Sequence, residues 1–149
     1  MSRAECAKEY FMQGYACSQA VALAFSDLLG IDEETIAKFT LPFGGGLGRL
    51  RLTCGAVSGV AAVIGLLYAD AENSPENKKK VYAITQEVCG EFQKEMGSLI
   101  CADLLSGMNL KVEVGGQAET RTEEYYKKRS CGDIVALAAQ ILDNYINRI

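Results

Sequence analysis

With 149 residues, 49% of them hydrophobic and only two prolines, the chain is long enough to bury a core as one folded domain. A formal charge of −4 leaves no basic footprint for nucleic acid, and the absence of histidine excludes histidine triads, three-histidine zinc sites and a His-ligated haem. Six cysteines turn the chemistry towards sulfur.

Ser2 and Glu5 have the spacing of a capping box and open a first helix expected to reach Met12, with Gly14 ending it. Ala20, Val21, Ala24, Phe25 and Leu28 repeat at threes and fours and predict a second helix, closed by Gly30. Asp32 is placed to cap a third helix from Glu33 to about Phe39, stopped by Pro42. A glycine-rich loop follows. Leu52 to Ala69 then holds 18 uncharged residues, the lower edge of a membrane span. Thr53, Ser58 and three glycines in that run favour a buried helix instead, and no membrane span is expected. Ser74-Pro75-Glu76 reads as the start of a helix to about Met96, with Val81, Ile84, Val88 and Phe92 on one face. A short helix is expected from Ser98 to Leu105. Residues 106–120 are the least regular and read as a mobile loop with a brief β-pair near Val112. A helix over 121–128 and a last one behind Ser130 complete the chain. Together these predict an all-α bundle of six or seven helices, 1–149 forming a single domain around an apolar helix at 54–70 and a C-terminal helix at 131–147.

Four of the cysteines share a position on this map. Cys17, Cys54, Cys101 and Cys131 each fall in the first turn of a predicted helix. Unpaired N–H groups and the positive end of the helix dipole there favour thiolate over thiol. Thiolate is the form that ligates metals, attacks disulfides and reacts with oxidants. Arg49 and Arg51 are candidates to lower the pKa of Cys54 further. The competing reading is plain packing, because cysteine is often buried as a small hydrophobe. That reading suits Cys89, mid-helix in "EVCGEF", whereas Cys6 among charged neighbours reads as an exposed thiol. Neither joins the candidate site. Asp133 and Glu91 each lie two residues after a cysteine and read as ordinary carboxylates on helix surfaces.

Cys54 sits inside "GGGLGRLRLTCGAVSG", residues 44–59, among six glycines. A phosphate-binding P-loop needs a lysine, and none lies between Lys38 and Lys78. The dinucleotide fingerprint is broken by Arg49 and no strand precedes it, so no nucleotide is expected. Gly55, Gly59 and Gly65 give the apolar helix a smooth flank. Such a flank suits close helix packing, and near Cys54 it would let a bulky sulfur-bound group lie against the backbone.

Cys17 in "GYACSQAV", "CGAVSG" at Cys54 behind "GGGLGR", Cys101 in "GSLICADLL", and Cys131 ahead of an apolar helix resemble the C_GCAxxG_C_C family of redox-active proteins. The resemblance runs from Gly14 to the last helix. The family label spells its core GCAxxG, where this chain reads Cys54-Gly55-Ala56. A similar region occurs in split-Soret cytochromes, where it accompanies an iron–sulfur centre. The resemblance therefore implies a redox role. It also implies a cofactor site of Cys17, Cys54, Cys101 and Cys131, to which the reading of the residues themselves adds Arg49, Gly55 and Gly59. No haem is expected, since the chain has neither histidine nor a C-x-x-C-H motif.

Three functions stay open at this point. Four cysteinyl sulfurs are the number that an iron–sulfur cluster needs, with a two-iron cluster preferred. They lie 37, 47 and 30 positions apart in sequence, so only the fold could gather them. The same cysteines could instead work in pairs as redox thiols, catalytically or as a sensor. A structural four-cysteine zinc site is the third reading, weakened by the absence of C-x-x-C pairs. The N-terminus lacks a secretory apolar stretch, so a cytoplasmic protein is expected, working with a redox partner protein that the residues do not name. A helical chain this apolar is also compatible with a homodimer.

Overall fold

Ser2 opens the first helix as its spacing with Glu5 predicts: its hydroxyl accepts from the Glu5 amide at 3.1 Å and donates to the Glu5 carboxylate. The computed structural model describes residues 1–148. These form nine α-helices: α1 (Arg3–Met12), α2 (Cys17–Leu23), α3 (Ser26–Leu29), α4 (Glu33–Thr40), α5 (Gly55–Tyr68), α6 (Pro75–Met96), α7 (Cys101–Gly107), α8 (Glu123–Lys128) and α9 (Cys131–Asn147). The class is all-α, as expected, with more and shorter helices than six or seven.

One of the additional helices comes from a break in the expected second one. At Ala24 and Phe25 the chain turns so that Phe25 enters the core, fully buried, while Leu28 is left 40% exposed. Arg3 seals the break, donating to the freed Ala24 carbonyl at 2.9 Å and lying over the Phe25 ring at 5.1 Å. The same guanidinium pairs with Asp27, tying α1 to α3.

Packing follows the apolar faces. α1 lies along α9 and against α2; α2 packs on α5 and α4; α5 also meets α6 and α9. Phe11, Val21, Phe25, Ile36, Val63, Ile64, Val135 and Leu142 meet in the dry centre. The face predicted for α6 is the one turned inwards, with Ile84, Val88 and Phe92 buried and Val81 packed beside them. Burial along α5 fades after Ile64, and Leu66 is 41% exposed, so the apolar helix is central through its first ten residues and not its last four. Among the described residues no helix is long and apolar enough to cross a membrane.

Two expectations are corrected here. No β-pair forms near Val112; among the described residues the single bridge joins Thr53 to Ile100, antiparallel. Ser98 does not begin a helix. Its hydroxyl accepts from the Ile100 amide and donates to Asp103, and α7 begins at Cys101.

Candidate functional site

Each of the four selected cysteines stands at a helix start. Cys17, Cys101 and Cys131 are the first residues of α2, α7 and α9, and Cys54 is the N-cap of α5. All four line one cavity of about 310 Å³. At about 30 Å³ per water molecule, that is room for roughly ten, far more than a lone ion requires.

Backbone bonds explain the convergence. The Cys54 amide donates to the Leu99 carbonyl at 2.8 Å, and the Cys101 amide donates to the Leu52 carbonyl at 2.6 Å. This short antiparallel contact sets the starts of α5 and α7 side by side. The start of α2 is pinned from below: Ser18 donates to the Thr40 carbonyl at 2.6 Å, and Gln19 donates to Ala37 while accepting from the Ala16 amide. Cys131 follows from the packing of α9 on α1, where Gly132 lies in contact with Lys8 and Phe11.

The glycines settle into distinct tasks. A Cβ at Gly55 would fall 2.4 Å from the Cys17 sulfur, so this position clears space for a thiol. A Cβ at Gly59 would fall 2.7 Å from the Ser18 carbonyl oxygen, so this one permits the close contact of α5 with α2, away from the cavity lining. Gly65 faces open space and serves neither purpose. Gly46 combines φ of +75° with an approach that would put a Cβ 2.7 Å from the Cys101 Cβ, a combination open only to glycine.

From Gly45 to Arg49 every residue has positive φ, including Leu47 and Arg49, and Arg51 follows at +63°. Left-handed backbone costs a non-glycine residue roughly 1–2 kcal/mol. The turn is held by amide bonds from Arg51 to the Gly45 carbonyl (3.1 Å) and from Leu52 to that of Gly46 (2.9 Å). It delivers two guanidiniums, though not to the sulfur expected. Arg51 places Nη1 3.8 Å from the Cys101 Sγ and donates through Nε to the Glu113 carbonyl at 2.9 Å. Arg49 donates to the Gly115 and Gln117 carbonyls and lies 3.7 Å from the Glu113 carboxylate. Neither acts as the counter-charge of Cys54. Residues 108–121 thus form an irregular strap that arginines tie down over the cavity, rather than an untethered loop.

Sequence reasoning missed the rest of the wall. Arg121, Tyr125 and Arg129 also line the cavity; α8 carries only Tyr125, with Arg121 just before its N-cap and Arg129 at its C-cap in extended backbone, so helical spacing does not group them. Arg121 lies over the rings of Phe11, Tyr125 and Tyr126 and donates to the Phe11 and Tyr15 carbonyls. Arg129 lies over Tyr125 and pairs with Glu119 at 2.7 Å. Glu119 is the one carboxylate lining the cavity among the described residues.

Burial changes what the thiols do by themselves. Cys54 is pushed well up by burial and by Cys17 beside it, and the Ala56 and Val57 amides at the start of α5 only partly pull it back. Burial raises Cys101 too, against the pull of Arg51, and pushes Cys131 up to about 11. At Cys54, Cys101 and Cys131 desolvation therefore outweighs the helix ends, and these three favour the protonated thiol rather than the expected thiolate. Cys89 packs against Val88 and Phe92, as expected. Cys6 is half-buried against the core rather than exposed. Asp133 is a surface carboxylate paired with Lys8.

All six cysteines are free thiols. Among the described residues no three Cys, Asp or Glu side chains are gathered so as to hold a single metal ion. No curated protein and no solved structure shows significant similarity to the chain. A family profile described as "Putative redox-active protein (C_GCAxxG_C_C)" matches residues 15–145, which include all four cavity cysteines. The chain belongs to the C_GCAxxG_C_C family.

Proposed function

We propose that this redox-active protein holds an iron–sulfur cluster on Cys17, Cys54, Cys101 and Cys131 and works in electron transfer. The observation that carries this reading is the donor set: four thiols, one from each of four helix starts, around a single cavity wider than an ion. Cysteinyl sulfur in that number is what two-iron and four-iron clusters take. Gly55 and Gly46 leave the space beside Cys17 and Cys101 free of side chain.

Charge supports the fit. Four thiolates around an oxidised cluster of either type carry a formal charge of about −2. Arg49 and Arg129 face carboxylates, whereas among the described residues Arg51 and Arg121 pair with none. Two unmatched guanidiniums then offset the bound group. The cluster would supply a one-electron couple. The chain's own residues bind it through sulfur, keep water from it with the strap and surround it with fixed positive charge.

Both alternatives fit less well. Tetrahedral zinc draws its sulfurs to about 2.3 Å from one centre, and among the described residues no three such side chains are gathered to hold one ion. Thiol–disulfide exchange needs a low-pKa attacking thiol, and Cys54, Cys101 and Cys131 are all shifted upwards.

Anaerobic reconstitution with ferrous iron and sulfide tests the reading. Visible charge-transfer absorption with two irons and two sulfides per site, lost in a Cys54→Ser variant and kept in Cys89→Ser, is the expected result. A colourless protein that retains zinc, or one that forms disulfides under mild oxidant, would overturn it.

A further inference from the structure

We propose that Arg51 is the positioning residue that sets the reduction potential of the cysteine site, acting through the Cys101 sulfur. The inference deepens the cluster reading and rests on it. Three observations converge on this one side chain.

Arg51 is only 6% exposed, and among the described residues no carboxylate pairs with it. A buried cation without an anion is costly, so its presence implies negative charge nearby. The nearest candidate is the sulfur of Cys101, 3.8 Å from Nη1. The residue is also held where it is at a conformational cost, with φ of +63°. That cost is borne at both ends of its backbone, the amide donating to Gly45 and the carbonyl accepting from Ala102. Strain kept by surrounding bonds beside a reactive group points to a functional placement. Finally, the other three arginines of the wall are otherwise engaged. Arg49 and Arg129 have carboxylate partners, and Arg121 is caged by three aromatic rings and donates to backbone carbonyls.

The consequence is electrostatic. One electron passes from a one-electron donor to the site, no bond forms or breaks, and Arg51 keeps its proton throughout. The site becomes more negative by one charge. A fixed positive charge in contact with a ligand sulfur favours the more negative state, so Arg51 raises the potential.

The test uses the full chain, loaded with iron and sulfide and titrated anaerobically with dithionite through dye mediators. Arg51→Gly removes the charge and accepts the left-handed backbone, so it is expected to fold; Arg51→Gln is the second variant. Both should lower the midpoint by about tenfold in the reduction equilibrium, about 59 mV for one electron. Arg51→Lys should recover most of that change by restoring the charge. Cleavage after the exposed Lys111 by a lysine-specific protease reports separately on the strap. Fully loaded variants with faster cleavage and an unchanged midpoint would leave Arg51 a mere strap anchor and overturn the inference, while the cluster reading stands. A wild-type chain that takes up no cluster would overturn both.

Discussion

On one side of the cavity stand Cys17, Cys54 and Cys131, each at the start of a helix that runs into the packed core. On the other stand the left-handed turn after Gly44 and the strap 108–121, held chiefly by arginines donating to carbonyls. The helical side fixes sulfur positions through packing, which tolerates little displacement. The loop side brings positive charge and covers the opening. Cys101 belongs to both: it starts a helix, yet its amide bonds to the exit of the turn and its sulfur meets the turn's arginine. Placement and charge are therefore supplied by separate parts of the chain and can be broken separately.

The largest effects should come from the helical side, at two glycines one helical turn apart. In Gly59→Ala the new methyl meets backbone, the Ser18 carbonyl, which cannot swing aside, so α2 and α5 must separate. Alanine gains about 1 kcal/mol of helix propensity, but overpacking of this kind costs about 1–3 kcal/mol and occasionally more. A lower urea midpoint is expected, and unchanged stability would show that the seam yields more easily than its geometry implies. In Gly55→Ala the nearest atom is a side-chain sulfur, that of Cys17, with the backbone of Phe43 and Gly44 no closer than 3.0 Å. The expected outcome is a smaller loss of stability with a severe loss of iron and sulfide uptake. Equal uptake in Gly55→Ala and wild type would remove Gly55 from the site.

How far the sequence foretold this division depends on the range of the forces involved. The helix starts were legible because caps and breakers act within a few residues: Ser2, Gly30, Asp32 and Ser74-Pro75 all end or begin helices where expected. The break at Ala24 was not, since it depends on Arg3 arriving from another helix. That four cysteines stand at helix starts was legible from position. The protonation of Cys54, Cys101 and Cys131 was not, because burial is a tertiary quantity that the helix-end argument ignores. The target of Arg51 was hidden for a similar reason. Five consecutive left-handed residues from Gly45 to Arg49, with Arg51 left-handed after them, redirect a side chain in a way that residue spacing alone cannot convey. Arg121, Tyr125 and Arg129 were hidden too, since Arg121 and Arg129 lie outside the helix that carries Tyr125 and reach the cavity only through the fold.

On the loop side a smaller and more local effect is expected from Arg49→Ala. Arg49 donates to two carbonyls of the strap, accepts from the Gly115 amide and faces the Glu113 carboxylate. Removing its side chain should loosen residues 113–117 while the core stays intact. Cleavage after Lys111 should accelerate several-fold, with the global stability measured by urea unfolding changed by about 1 kcal/mol or less, as for ordinary hydrogen bonds at a partly exposed site. A large drop in global stability would mean that the strap belongs to the core after all.

The smallest effect is a slope, and it separates the two sides most finely. Burial raises the pKa of Cys54, Cys101 and Cys131 above the ordinary value of 9.0. In the cluster-free protein the native state then keeps protons that the unfolded chain releases. The stabilisation is full below pH about 9 and is lost as pH rises through the native values, at about 1.4 kcal/mol per pH unit for each thiol still protonated. Urea midpoints of the reduced, cluster-free protein should fall between pH 8.5 and 10.5 on that reasoning. Cys54→Ser should flatten the fall more than Cys101→Ser, because Cys54 has no guanidinium beside it whereas Arg51 already draws Cys101 towards ionisation. Equal flattening by the two substitutions would show that burial alone governs these sulfurs and that the turn's charge does not reach them. A midpoint independent of pH over that range would show instead that water enters the cavity freely enough to solvate a thiolate.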